Sequence, residues 1–141
     1  MPDIRLTQDL DNLHPDTMPF LEEFHVGLLS TERPDGSLHV VGVGFTYDPA
    51  TRLAWSIGGR NSVKVRNIRA GSRGAFSQVD ASRWLTLEGP ARIVDDVGGI
   101  EEAHRRYRAR YPGHGATDPA RVGIVITVER LMGIPMRRPE A

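Results

Sequence analysis

A chain of 141 residues has room for a single domain with a sizeable core, and its 18 Lys and Arg balance 18 Asp and Glu. No global field therefore draws it to nucleic acid or to an anionic membrane surface, and any anion binding must come from a local cluster. With no cysteine, disulfides, thiolate catalysis and sulfur-ligated metals are excluded, and the composition fits a reducing compartment. No apolar run reaches membrane-spanning length and the N-terminus lacks a signal-peptide pattern. The reading is a soluble cytoplasmic protein.

Residues 1–15 read as a polar lead-in, with Leu10 and Leu13 as its only core candidates. A short helix follows over 16–24, capped by Asp16 or Thr17, with Met18, Leu21 and Phe24 toward the core. Strands are predicted over 25–31 and 38–47 around the turn Arg33-Pro-Asp-Gly36, which makes a hairpin. After the turn at 48–51, a third strand over 53–57 runs into Gly58-Gly59. Ser62 can then cap a helix over 63–70 that Gly71 ends. Strands over 74–79 and 83–94 form a second hairpin, and Gly89-Pro90 inside the longer one signals a bulge or bend. A helix over 98–111 puts Ile100, Ala103, Tyr107 and Tyr111 on one side and carries Glu101–Arg105 and Glu102–Arg106 pairs in the favourable order. A loop at 114–119, a last strand over 122–128 and a polar tail from 135 complete the chain. Six short antiparallel strands with Gly/Pro turns and inserted helices argue for a small β-barrel.

One stretch stands apart. Between Arg60 and Arg73 lie five basic residues and no acid, and Lys64 is the only lysine beside seventeen arginines. A loop entering a helix exposes backbone N–H groups, Ser62 adds a hydroxyl, and Lys64 adds a mobile ammonium. Together these suit a phosphate. The bland alternative is an N-cap serine followed by solvated bases. Gly58-Gly59 leaves room for a planar ligand against the backbone, and Gln78, Arg83 and Trp84 on the next hairpin could reach its ring. Other motifs carry less. Gly42-Val-Gly44 lies inside a strand with no third glycine, so it is no dinucleotide fingerprint. The five histidines lack metal-ligand spacing, and His104 reads as helix surface. The run Arg105–Arg110 reads as a solvated face beside its glutamates.

The order of these elements resembles the pyridoxamine-phosphate-oxidase-like family of split-barrel flavin proteins. The segments that carry it are Leu28-Leu-Ser-Thr-Glu-Arg-Pro-Asp-Gly-Ser-Leu-His-Val-Val41, Ser62-x-Lys64-x-x-Asn67 and Arg83-Trp-Leu-Thr-Leu-Glu-Gly89. Phe76-Ser-Gln-Val-Asp80 before Trp84-Leu-Thr-Leu-Glu-Gly89 is similar to the branch that uses the deazaflavin coenzyme F420. The resemblance implies a six-stranded split β-barrel that forms a homodimer, with two cofactor clefts at the interface. It implies that Ser62 and Lys64 bind the cofactor phosphate and that Asn67 supports the loop, with Arg60 and Val63 also expected among the cofactor-binding residues. Ser56, Ile57 and Gly58 would run along the ring and ribityl chain, and Trp84 would approach the cofactor from the partner subunit. Val41-Gly-Val-Gly-Phe45 lacks the arginine and lysine of the oxidase members, which argues against pyridoxamine phosphate oxidation. Four arginines near Lys64, at 60, 66, 69 and 73, favour F420 with its polyanionic tail over FMN, the alternative. The implied activity is hydride transfer from reduced F420 to an unsaturated small molecule, a biliverdin-like tetrapyrrole or an enone. An FMN-binding protein and a non-catalytic cofactor store are the competing readings.

Overall fold

The computed structural model describes residues 6–114 and 118–137. Residues 1–5 of the lead-in, 115–117 of the expected loop and 138–141 of the tail lie outside the described residues. In chain order the elements are α1 (Thr17–Glu22), β1 (Gly27–Glu32), β2 (Leu38–Val43), β3 (Thr46–Asp48), β4 (Leu53–Gly59), α2 (Val63–Arg69), β5 (Arg73–Asp80), β6 (Arg83–Val94), α3 (Val97–Arg110), β7 (Arg121–Thr127) and β8 (Arg130–Ile134). Every strand pair is antiparallel. The order across the sheet is β2-β1-β5-β6-β7-β4-β3, with β8 beside β6.

The described residues thus hold eight strands where six were expected. The run over 38–47 is two strands, because Gly44-Phe45 turns the chain from one edge of the sheet to the other. The rings of Tyr107 and Tyr111 press against that link, and a Cβ on Gly44 would lie 2.7 Å from each. The Phe45 N–H donates to the Tyr111 hydroxyl at 3.1 Å. Since the two edge strands are joined by two residues, the sheet has to curl into a barrel. The second added strand, β8, is short and pairs Trp84–Glu88 of β6.

Gly89-Pro90 is the expected corner. Along one edge β6 stays on β5 through Pro90, while along the other it passes from β8 at Glu88 to β7 at Ala91. A Cβ on Gly89 would stand 1.8 Å from the Thr127 carbonyl oxygen, so only glycine permits the crossing.

The barrel interior is filled from alternate positions: Leu29, Phe45, Phe76, Leu85, Leu87, Ile124, Ile126 and Leu131 are all buried. Phe45 and Phe76 stack with centroids 4.8 Å apart. Each such side chain contributes about 1.5–3 kcal/mol by leaving water. A smaller cluster of Trp55, Ile57, Ala103 and Val125 seats α3 on the outside of β4 and β7.

Three placements depart from the sequence reading. Phe20, not Phe24, enters the core from α1, and Phe24 is 57% exposed, packed edge-on to Tyr111. Asp16 precedes α1 without a side-chain capping bond. On α3, His104 and Arg110 are buried although both read as surface residues. His104 Nδ1 bonds the Ile100 carbonyl at 2.8 Å. Arg110 reaches inward and donates to the carbonyls of Glu23 (2.9 Å) and Phe45 (2.5 Å) and to the Gln78 amide oxygen. Of the expected helix pairs, Glu102–Arg106 forms at 2.7 Å, and Arg105 turns to Glu102 instead of Glu101.

Candidate cofactor site

The barrel is open between its two edges. β2 has β1 on one side only, and β3 covers β4 only at Leu53–Trp55. Beyond Trp55 the β4 edge over 56–59 has β7 on one side and, among the described residues, no strand on the other. β4 ends in Gly58-Gly59, the chain turns, and α2 begins.

At that junction Ser62 has the extended backbone of an N-cap residue, but its hydroxyl donates back to the Gly59 carbonyl at 2.8 Å and makes no side-chain capping bond. The Arg66 N–H donates to the Ser62 carbonyl at 3.0 Å. The amides before it in the first turn are the ones a helix leaves without an i−4 partner. Lys64 folds back over β4: a Cβ on Gly58 would lie 2.8 Å from its Cε. Among the described residues no carboxylate pairs with Lys64. Burial holds its ammonium below the usual lysine range, and the neighbouring Arg121 charge lowers it further. A half-buried cation next to a second cation is a place where an anion gains most.

Asn67, one helical turn after Lys64, is buried and donates to the Thr31 hydroxyl at 3.0 Å, tying α2 to β1. Its carbonyl accepts from the Ser72 N–H, and Gly71 takes a positive φ of 105°, so the helix closes with a glycine cap. Asn67 thus sets the position of α2 against the barrel.

The remaining candidates are placed less favourably. Ser56 is buried with its hydroxyl on the Gly44 carbonyl at 2.6 Å, and Ile57 lies in the cluster under α3. Neither side chain is free, so only their backbone along the open edge remains. Val63 is half-buried in the first turn of α2. Arg60 donates to Asp95 at 2.5 Å and to the Pro119 carbonyl at 3.2 Å. Arg69 takes the other oxygen of Asp95 at 2.8 Å, and Arg73 pairs with Glu129 at 2.8 Å. Three of the four arginines near Lys64 are thereby ion-paired, two of them sharing the single charge of Asp95, and Arg66 alone has no ion pair among the described residues. Asp95 is far along the chain from Arg60 and Arg69, so its role was invisible in a run with no acid.

Gln78 is fully engaged: its Nε2 donates to the Phe20 carbonyl at 3.0 Å and its Oε1 accepts from Arg110. It shares the inner face with Phe76, a placement that the period-two pattern of β5 could have shown. Trp84 lies on the opposite, outer face, across from Val79 and Ile134. Within one chain, Trp84 and Lys64 are on different surfaces.

His39 was not singled out by its spacing. It faces Thr31 across the β1–β2 ladder, on the inner side of the open edge. Its Nδ1 is buried without a partner. Burial, then the charges of Arg33 and Lys64, hold its imidazole below the usual histidine range. The alternation of Leu29, Thr31 and their partners was the available signal.

A trio of Glu23, His25 and Asp80 has ligand-type atoms within 4.8 Å of one another. Arg83 fills its centre, forking onto Glu23 at 2.7 and 2.9 Å and bonding Asp80. The trio works as an ion-pair cluster.

The family model for pyridoxamine 5'-phosphate oxidase matches residues 13–134. The F420H(2)-dependent biliverdin reductase of Mycobacterium tuberculosis is 41% identical over 86% of this chain and 88% of its own length. Among solved structures, one titled F420 reductase superposes with a TM-score of 0.65 at 29% identity, covering 80% of this chain and 93% of that one. The conserved hypothetical protein Rv2991 of Mycobacterium tuberculosis reaches a TM-score of 0.74 at 20% identity over 92% of both chains, a likeness of fold. With the split edge, the corner in β6 and the family match over nearly the whole length, the chain belongs to the pyridoxamine 5'-phosphate oxidase family.

Proposed function

We propose that this protein is an F420-dependent oxidoreductase that reduces an unsaturated small molecule. The observation that carries the reading is Lys64, a half-buried ammonium with no carboxylate on it, laid across Gly58 at the open edge of the barrel. The residues fit a phosphate-bearing cofactor: Lys64 supplies the charge, the Ser62 hydroxyl and the first-turn amides of α2 supply hydrogen bonds, and Asn67 keeps α2 in place. The backbone of Ile57 and Gly58 runs along an edge that no described strand pairs, and because both residues are buried with Lys64 laid over Gly58, a ring would reach it where the lysine moves aside. When bound, reduced F420 supplies a hydride to an electron-poor double bond, and a proton from solvent completes the reduction. The chain's part is to position both partners and to exclude water. The similarity to the biliverdin reductase supports F420 and favours a biliverdin-like tetrapyrrole acceptor, with an enone as the other acceptor of the right chemistry.

Two copies complete the site in this reading. Leu28, Leu38, Val40 and Val79 are exposed on the same outer sheet face as the half-buried Trp84. An apolar face of this kind marks a protein contact. A homodimer that buries it would bring Trp84 of one copy toward the cleft of the other. Among the described residues no helix is long and apolar enough to cross a membrane, and cytoplasmic work with a soluble cofactor fits the reading.

Fluorescence titration with F420 and FMN tests the cofactor. F420 binds more tightly, and Lys64→Ala weakens it about 10- to 100-fold, the worth of a charged hydrogen bond at roughly 1.5–3 kcal/mol. FMN binding tenfold tighter than F420, or unchanged F420 affinity in the variant, would overturn the assignment. Oxidation of F420H2 by biliverdin or an enone separates an enzyme from a cofactor store.

A further inference from the structure

Resting on the cofactor reading above, we infer that His39 is a further phosphate-contacting residue, donating from Nδ1 to the anion that Lys64 holds from the other side of the open edge. The geometry comes from three linked placements. His39 stands opposite Thr31 in the β1–β2 ladder, Thr31 accepts the Asn67 amide, and Asn67 lies one turn along α2 from Lys64. The Lys64 charge acts on the His39 imidazole, so both groups lie toward the gap between β2 and α2.

The chemistry points the same way. Arg33, at the start of the β1–β2 turn, is clamped by the Leu38 carbonyl at 2.6 Å and Ser37 at 3.3 Å, which fixes its charge near His39. Burial, then the charges of Arg33 and Lys64, disfavours a protonated imidazole and so favours the neutral ring, which carries one N–H. A buried ring nitrogen without a partner is costly to leave unmet. Among the described residues, His39 Nδ1 has no hydrogen-bond partner. An oxygen of a phosphate held by Lys64 would meet it, while the two flanking cations draw the anion in. Lys64 is then the point charge, and His39 is the directional donor that sets where the phosphate sits.

The test uses the full chain and two probes, F420 and a deazaflavin truncated before its phosphate, titrated by fluorescence into His39→Phe, His39→Asn, His39→Gln and Lys64→Ala. Asparagine places an amide N–H near the position of Nδ1, whereas glutamine carries it farther out. His39→Phe is expected to weaken F420 roughly tenfold or more, His39→Asn to restore most of the affinity, and neither to change binding of the truncated probe. If His39→Phe does not fold, His39→Gln takes its place, with the same loss expected. Unchanged F420 affinity in His39→Phe beside a weakened Lys64→Ala overturns the role of His39 and leaves the phosphate site standing. Unchanged affinity in both overturns the cofactor reading and this inference with it. An equal loss for both probes overturns it too, since His39 would then only shape the cleft.

Discussion

Gly58 shows how a single missing side chain shapes this site. Lys64 lies where a Cβ on residue 58 would be, 2.8 Å from Cε, and Ile124 closes the other side at 3.0 Å. The lysine end can swing away, so Gly58→Ala should shift the ammonium more than it strains the barrel. We expect F420 binding to fall about tenfold with only a small drop in melting temperature, measured by titration and calorimetry on the same sample. A loss of stability with unchanged affinity would mean that the resting place of Lys64 is irrelevant to binding. The Ser62–Lys64 end of the site was legible because it is local: a glycine pair, a hydroxyl and a base arrive within seven residues. His39 was not, because only the curl of the sheet brings β2 to α2. Nor was the loss of Arg60 and Arg69 to Asp95, which depends on a contact between distant segments.

At the scale of elements, α3 and the α1–β1 connection carry most of what periodicity could not reveal. A basic helix run looks solvated when it stands alone, yet Arg110 turns under the helix and binds three oxygens in the core, with its charge disfavoured by burial. Arg110→Ala should cost about 3 kcal/mol by chemical denaturation, because it strands the Gln78 amide and two carbonyls. A cost below about 1 kcal/mol would show that water replaces the guanidinium. The β2–β3 break escaped notice because both strands share one alternating pattern, and nothing in that pattern marks a change of edge. Nearby, the hydrogen bond from Arg83 holds the Glu23 carboxyl at about 2, against an ordinary 4.5. A depressed acid stabilises the fold above its unfolded value, and that contribution is lost as pH falls from 4.5 toward 2. Glu23 is partly exposed, which screens the effect. Thermal melts should show a shallower acid decline for Glu23→Gln than for the native chain in that window, and parallel curves would refute the linkage. The Glu102 cluster, also held at about 2, declines in both proteins alike.

For the molecule as a whole, the barrel and its family were legible from the order of hairpins, while the strand count was not. The proposed dimer makes the outer face testable. Val40, 51% exposed beside Ser30, is a position where a glutamate costs a monomer little and a buried interface a great deal. Val40→Glu should sediment as a folded monomer and bind F420 more weakly than the native protein, through loss of the partner's Trp84. A monomeric native protein would remove the shared-cleft model, and an intact dimer in the variant would move the interface elsewhere.

The place of β7 has a consequence for how the chain reaches this state. It is the seventh strand in sequence, yet it lies between β6 and β4, bonding Ala91–Val94 on one side and Leu53–Gly59 on the other. Until residues 121–127 leave the ribosome, β4 has only three residues of β3 beside it, and the cofactor edge is attached to nothing that completes the barrel. Closure must therefore come late and at high contact order, a slow step that leaves apolar strand edges open to other chains. Chains arrested before residue 121 should be captured by chaperones and cleaved readily by protease, with protection arriving in one step once β7 is supplied.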